Sequence, residues 1–238
     1  MMRRRVFSLG MACAVTAVVS AVGAAQAYAQ AQEAERINNA ALVLGEIMGA
    51  PDKAIPASVL EKAEGIAVFP GTIKGGFVLA AQRGKGVISL RDRTKNTWSL
   101  PAFMTVTGGS IGAQIGGQSI DIVLVIMDRR GLENLVSNQF KVGADGSVTA
   151  GPVGRTAEAS TDIQMRAQIL SYSRSRGLFA GVSLTGAAIR GDEDSNKAFY
   201  GEALTTRDII QDGKGKVTSH AEAASAWQKA LAQYVKGK

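Results

Sequence analysis

The residues that most often carry out catalysis are scarce in this chain. Its 238 residues include one histidine, His220, and one cysteine, Cys13. A Ser-His-Asp triad would have to use His220, which stands in a polar segment typical of a helix N-terminus. Asp121 and Asp128 bound an apolar run and lie about 20 Å apart at strand rise, too far to act as an acid and base pair. The sequence therefore predicts no catalytic residues.

Metal and nucleotide motifs are also missing from the sequence. A zinc site needs several His, Cys or carboxylate ligands, and neither HxxxH nor CxxC occurs. Gly84-Lys85 lacks the glycine that a P-loop requires five places earlier, because position 79 is leucine. The glycine-rich run 108–117 does not match GxGxxG. Its amides could contact an anion, but such glycines more often let strands curve or approach each other. We expect neither a metal nor a cofactor.

Positive charge is concentrated between residues 65 and 120. The basic residues of this segment are Lys74, Arg83, Lys85, Arg91, Arg93 and Lys95, against the single acid Asp92. Several of them fall at predicted turns, so we expect them to gather at one end of a sheet. A basic patch attracts anionic lipid, nucleic acid or acidic polymer. The alternative is ordinary surface charge that keeps strand edges soluble. Aromatic residues suited to single-stranded nucleic acid are not interleaved here, so nucleic acid is not a predicted partner.

The N-terminus has the three parts of a secretory signal peptide. Three arginines at 3–5 precede an uncharged, mostly apolar stretch over 6–25, and an A-x-A pattern ends at Ala29. We predict cleavage near Ala29, which leaves residues 30–238 as a single domain that is periplasmic or secreted. Cleavage lowers the formal net charge from +7 to +4 and removes the only cysteine.

Three alternatives to simple cleavage are less favoured. A retained membrane anchor would have to span with a stretch that Gly10, Ser20 and Gly23 interrupt, without a positive stop-transfer cluster behind it. Lipoprotein anchoring through Cys13 lacks the usual leucine three places upstream, and the apolar run continues beyond it. The paired arginines at 4–5 resemble a twin-arginine signal, but no cofactor motif explains that route.

Periodicity divides the domain into helices at both ends and strands between them. Helical spacing or capping patterns predict helices over 33–48, 56–63, 131–138, 196–203 and 206–210. A last helix follows a capping box at 219–222, and it carries Trp227, Leu231 and Tyr234 on one face. Strand-like runs cover 65–69, 76–81, 86–90, 97–100, 121–128, 168–173 and 177–189, with a hairpin turn at Asp145-Gly146. This order predicts an α+β fold with a strongly curved, mainly antiparallel, barrel-like sheet bracketed by N-terminal and C-terminal helices.

Several of these runs resemble the SYLF domain in order. The matching motifs are GIAVF at 65–69, KGGF at 74–77, RGKG at 83–86, WSLP at 98–101, GGQ at 116–118, DIVLV at 121–125, AGPVGR at 150–155 and SYSRSRGLFAGVS at 171–183. The resemblance covers about residues 35–235. It implies a lipid-binding module: eukaryotic relatives bind phosphoinositides, and fungal ones also bind and bundle actin.

Two departures limit what the resemblance implies. The N-terminal helix that helps those relatives engage membranes is net acidic here, with Glu33, Glu35 and Glu46 against Arg36. An exported chain would also meet neither actin nor phosphoinositide.

The sequence thus favours an exported, non-enzymatic protein that binds anionic phospholipid. The candidate lipid-binding residues are Lys74, Arg83, Lys85, Arg91, Arg93, Arg174 and Arg176. The alternative is a structural or assembly protein of the cell envelope that acts through protein contacts, with an envelope protein or a second copy of the chain as partner.

Overall fold

A computed structural model describes residues 4–49, 55–76, 79–111, 116–137, 139–152, 167–175, 178–181, 184 and 186–234. The helices in these ranges are α1 (Arg4–Met48), α2 (Ala57–Lys62), α3 (Arg129–Leu135), α4 (Glu193–Tyr200), α5 (Thr206–Ile210) and α6 (Ala221–Tyr234). The strands are β1 (Gly65–Gly76), β2 (Leu79–Asp92), β3 (Thr97–Trp98), β4 (Ala102–Ile111), β5 (Gly116–Ile126), β6 (Phe140–Lys141), β7 (Val148–Ala150), β8 (Ile169–Ser175), β9 (Leu178–Gly181) and β10 (Ala187–Gly191).

The strands form one strongly curled sheet, a half-barrel. Its order is β6-β10-β4-β2-β1-β5-β8-β7, with β3 attached to β2 and β9 to β8. Every described strand pairing is antiparallel except β7 with β8. Helices α1 and α6 come from the two ends of the chain and pack against each other. The predicted α+β class, the curved sheet and the bracketing helices are confirmed.

The core lies between the sheet and these helices. Residues Ile122–Ile126 of β5 are all fully buried, as the unbroken apolar run predicts for a strand covered on both faces. On α6, Trp227 is fully buried and its indole Nε1 donates to Ser89 Oγ of β2 at 2.8 Å. On α1, burial begins at Glu33 and Ala34 and recurs at helical spacing to Ile47.

A bulge in β1 bends the sheet at Gly71. Both ladders of β1 shift register between residues 68 and 73. Gly71 sits at this bulge with φ +57°, in the left-handed region that glycine adopts without strain. Beyond the bulge, side chains of β1, β2, β4 and β5 become exposed, so the sheet continues past the helices toward residues 77–78 and 112–115.

Some element predictions differ from the structure. The predicted strand 76–81 straddles the end of β1 and the start of β2, and residues 77–78 lie outside the described ranges. The predicted hairpin at Asp145-Gly146 is wrong: β6 pairs with β10 and β7 with β8, and 143–146 form a local turn. Turn chemistry alone could not reveal that each flanking strand has a more distant partner.

The two aspartates that bound the apolar run have different roles, and the predicted capping box lies elsewhere. Asp128 caps α3 by accepting a hydrogen bond from the Gly131 amide at 2.7 Å, whereas Asp121 lies within β5. The capping box forms at Thr205 and Asp208 on α5 rather than at 219–222, where His220 precedes α6 with φ +57°. Within the described residues, no helix is both long and apolar enough to cross a membrane.

Candidate functional site

The basic residues predicted to gather at one end of the sheet occupy two separate places. Lys74 and Arg83 lie beyond the bulge, where β1 and β2 approach residues 77–78. Arg91 is the penultimate residue of β2 at the opposite end, and Arg93 directly follows the strand. Ten residues of strand separate Arg83 from Arg93, about 33 Å. The expectation of one cluster is therefore wrong, because β2 is one long strand instead of two short ones joined by a charged turn.

At the second place, two arginines hold the end of helix α2. Arg91 is 7% exposed, and its guanidinium donates to the Glu61 carbonyl at 3.1 Å. Arg93 donates to the Lys62 carbonyl at 2.6 Å and to Glu64 Oε1 at 2.7 Å. The last carbonyls of a helix have no partner within the helix, and arginine side chains commonly supply one. Both guanidinium groups are thus occupied within the protein.

Arg174 is likewise held inside the protein. Its Nε and Nη2 donate to Asp121 Oδ2 at 3.0 and 2.8 Å, and its guanidinium also contacts Glu46 of α1. Asp121 in turn accepts from the Gly71 amide at 2.9 Å. This chain of contacts links β8, β5, the bulge of β1 and helix α1. Arg176, the remaining candidate, lies outside the described residues.

Of the other basic candidates, Arg83 and Lys85 line a cleft of about 430 Å³ between α1 and the β1–β2 hairpin, whereas Lys74 is not part of its lining. Helix α1 contributes Gln32, Glu35, Arg36 and Asn39, β1 contributes Ile73, and β2 contributes Arg83 and Lys85. Arg83 and Lys85 are two positions apart on one strand and therefore share a face. Ile73 lies directly across from Arg83 in the ladder and is 65% exposed. We call this feature the hairpin cleft.

A network of largely buried charges lies behind the hairpin cleft and reaches its lining through Arg36 and Lys85. Arg36 contacts Glu33 at 2.8 Å and Asp192 at 3.2 Å, and its guanidinium lies 5.2 Å from the centre of the Phe103 ring. Lys85 Nζ approaches Asp192 Oδ2 at 3.6 Å. The side chains of Glu33, Arg36 and Asp192 are 8%, 12% and 11% exposed. The network joins α1, β2 and the start of α4.

The two carboxyl groups of this network differ in proton affinity. Burial raises the pKa of Glu33, more than the nearby Arg36 and Lys85 lower it. Burial alone would raise the pKa of Asp192 too, but the hydrogen bonds from Ser195 and the charges of Lys85 and Arg36 lower it. Asp192 is therefore held as the charged partner, while Glu33 accepts a proton more readily.

Sequence reasoning missed this network. The spacing of Glu33 and Arg36 is a signal for a helical side-chain pair that could have been used. Asp192 is 156 residues from Arg36, and the sequence carried no sign of that contact.

Comparison with known proteins gives the chain its family. A family model described as "Ysc84: Las17-binding protein actin regulator" matches residues 107–234. The protein YSC84 of Saccharomyces cerevisiae is 34% identical over 180 residues, covering 74% of this chain and 38% of the relative. The chain belongs to the Ysc84 family. The SYLF resemblance of the motifs is thereby confirmed.

Other Ysc84 relatives are similar to the same extent. SH3 domain-containing YSC84-like protein 1 of Mus musculus is 34% identical over 161 residues, covering 67% of this chain and 47% of the relative. LAS seventeen-binding protein 3 of Saccharomyces cerevisiae is 34% identical over 168 residues, covering 69% and 36%. The chain thus spans less than half the length of each of these three relatives.

The Ysc84 family match and the hairpin cleft cover different parts of the chain. The family match begins in β4, so it includes Asp121, Arg174 and Asp192. The cleft residues on α1, β1 and β2 lie before it.

Proposed function

We propose that the chain is exported, loses residues 1–29, and binds anionic phospholipid at a membrane surface without catalysing a reaction. The observation that carries the lipid part is the pairing of Arg83 with Ile73 across the β1–β2 ladder. An exposed cation beside an exposed apolar side chain fits a surface that presents phosphates above hydrocarbon.

The charges around this pair support electrostatic attraction. Arg83 is exposed and makes no ion pair with any described residue, and Lys74 is likewise without one. Lys85 is 49% exposed despite its contact with Asp192. Each cation near an anionic membrane contributes about 1 kcal/mol. Arg91, Arg93 and Arg174 are left out of the proposed contact surface because their guanidinium groups are bound within the protein.

Exposed apolar side chains lie in the hairpin cleft and beside it. Ile73 lines the cleft and is 65% exposed, and Leu42 of α1 is 64% exposed. Leu42 is not in the lining, but it follows the lining residue Asn39 by three positions and therefore neighbours it on the helix surface. Two large apolar side chains on either side of a cationic cleft would lie at the level of the headgroups and upper acyl chains.

Burial along α1 supports removal of the leader. Among the described side chains of the first 29 residues, Gly23, Ala24, Gln26, Ala27 and Tyr28 are exposed, and burial starts only at Glu33. Cutting near Ala29 therefore removes no described core contact. We expect the protein recovered from a bacterial host to have the mass of residues 30–238. The mass of an uncut chain in the envelope fraction would overturn the cleavage proposal.

The lipid proposal predicts a specific loss on reversing one charge. Arg83→Glu changes two charge units at the surface, so binding to phosphatidylglycerol vesicles at low salt should weaken by about 2 kcal/mol, roughly thirtyfold. Vesicle co-sedimentation measures the partition coefficient. Arg129→Glu is the matched control, since Arg129 is 78% exposed and follows the opposite end of β5.

The control distinguishes binding through one particular surface from an effect of the protein's net charge on binding. Equal losses in Arg83→Glu and Arg129→Glu would mean that overall charge governs binding. Absence of wild-type binding at low salt, or binding that is indifferent to salt, would overturn the proposal.

A protein partner is the second candidate function. It is favoured by the family description, which names Las17 binding and actin regulation for its members. We do not transfer either partner, because the proposed compartment contains neither. An envelope protein or a second copy of this chain would take that place. Self-association in light scattering without vesicle binding would favour this candidate over the lipid one.

A further inference from the structure

We propose that the hairpin cleft selects a lipid headgroup that carries both a phosphate and a primary ammonium group, as phosphoethanolamine does. The inference rests on the proposed lipid-binding function and adds a headgroup preference to it.

The β2 wall provides the phosphate contact. Arg83 and Lys85 point to the same side of the strand and line the cleft. Arg83 has no acidic partner among the described residues, and Lys85 keeps half of its side chain exposed beside Asp192. A guanidinium and an ammonium group on one face together suit a phosphate monoanion.

The α1 wall carries an exposed acid next to Arg36, whose own charge is paired with Glu33 and Asp192. Glu35 is exposed, lines the cleft, and makes no ion pair within the described part of the chain. The side-chain amides of Gln32 and Asn39, three positions before and four positions after it, line the same wall. Glu35 and Arg83 therefore face one cleft without meeting each other, and a ligand that carries both charges would contact both.

The lining also discriminates between ammonium groups. None of the described cleft-lining residues is aromatic, whereas quaternary ammonium groups are typically held by aromatic faces. A primary ammonium group has three N–H donors, which carboxylate and amide oxygens accept. Choline has no such donor. The wall made by Gln32, Glu35 and Asn39 therefore favours ethanolamine over choline.

The dimensions and the mouth of the cleft fit the same ligand. A volume of about 430 Å³ lies within the range of small-molecule pockets. Ile73, also in the lining, presents an exposed apolar side chain that the glycerol and acyl part of a lipid would contact.

Two vesicle compositions test the headgroup preference. Both contain the same fraction of phosphatidylglycerol, and the remainder is phosphatidylethanolamine in one and phosphatidylcholine in the other. We expect the wild type to bind the ethanolamine vesicles roughly threefold to fivefold more tightly, the range of a solvent-screened ion pair. Glu35→Gln should abolish this preference, while its binding to the choline vesicles rises slightly because a negative charge is lost. Glu202→Gln changes an exposed acid outside the cleft and should keep the preference.

Each outcome bears on one proposal. If the wild type bound neither vesicle composition, the lipid-binding proposal itself would be overturned. Binding that depends on phosphatidylglycerol but is equal for the two vesicles would overturn only the headgroup preference. A preference that survives Glu35→Gln would also overturn it, because a difference in bilayer packing would then explain the result.

Discussion

Replacing Arg36 by methionine should lower the free energy of unfolding by about 3–5 kcal/mol at neutral pH, the usual cost of removing one partner of a buried ion pair. Methionine keeps most of the side-chain volume against Phe103, so the loss is mainly electrostatic. Without the guanidinium, Glu33 and Asp192 become two buried carboxylates that share only Lys85. Urea denaturation followed by circular dichroism measures the change.

The defect should also depend on pH, with a sign set by Glu33. Its folded-state pKa lies above the ordinary 4.5, so acidification through that interval favours the folded state. Asp192 behaves oppositely: its folded-state pKa lies below 3.8, so its stabilising charge is retained until the pH falls below that value. Arg36 lowers the pKa of Glu33, so its removal raises that pKa further and the variant gains more stability than the wild type as the pH falls. Arg36→Met should therefore be less destabilised at pH 5 than at pH 8.

A double variant checks the cause of the Arg36 defect. Glu33→Gln in the Arg36→Met background removes the uncompensated charge and should recover part of the lost stability at pH 8. It should also remove most of the pH dependence. A defect of the same size at both pH values, or a double variant as unstable as the single one, would show that packing rather than charge is responsible.

Gly86→Ala should lower the free energy of unfolding by about 3 kcal/mol or more, the upper range for forcing an atom into a full core. A Cβ at this position would lie 2.2 Å from the Val68 carbonyl oxygen and 2.6 Å from the Phe69 ring. Val68 and Phe69 are fully buried, so neither moves without displacing the core. For a domain of this size we expect a fall in Tm of roughly 6–12 °C.

Gly45→Ala is the matched control. Gly45 lies inside α1, and the nearest atom to an added Cβ is Tyr234 Oη at 3.7 Å, an ordinary contact. Alanine favours a helix interior by about 1 kcal/mol over glycine, so this variant should be neutral or more stable. If Gly86→Ala melted within about 1 kcal/mol of wild type, the close approach of β2 to the bulge of β1 would be refuted.

Elements with strong local patterns could be predicted from the sequence. The buried run of β5, the short helix α2 and the apolar face of α6 each follow from periodicity and flanking residues. The length of β2 could not be predicted, because Gly84 and Gly86 look like strand breakers in isolation. Tertiary packing explains why glycine stands at both positions: Thr72 and Phe69 of the neighbouring strand occupy the space that a side chain at 84 or 86 would fill.

The candidate site was harder to predict than the fold. Composition drew attention to the segment that contains Arg83 and Lys85, but it could not separate them from Arg91 and Arg93. The two pairs differ because the guanidinium groups of Arg91 and Arg93 bind backbone carbonyls of α2. These carbonyls come close to the two arginines only in the folded chain. From the sequence, Glu35 contributes only to the net negative charge of the N-terminal helix. Its position across the cleft from Arg83 depends on how α1 packs beside β2, which the sequence does not reveal.

Because β2 is one continuous strand, it connects the two ends of the sheet rigidly. The exposed end near Arg83 and the end near Arg91 belong to one hydrogen-bonded strand with no linker between them. A membrane held at the first end would therefore fix the orientation of the whole body. The second end, with Arg129 and the groove beside Trp98, would face away from the bilayer about 30 Å further out. The domain would then act as a rigid spacer, with one end for lipid and the other open to the surrounding solution.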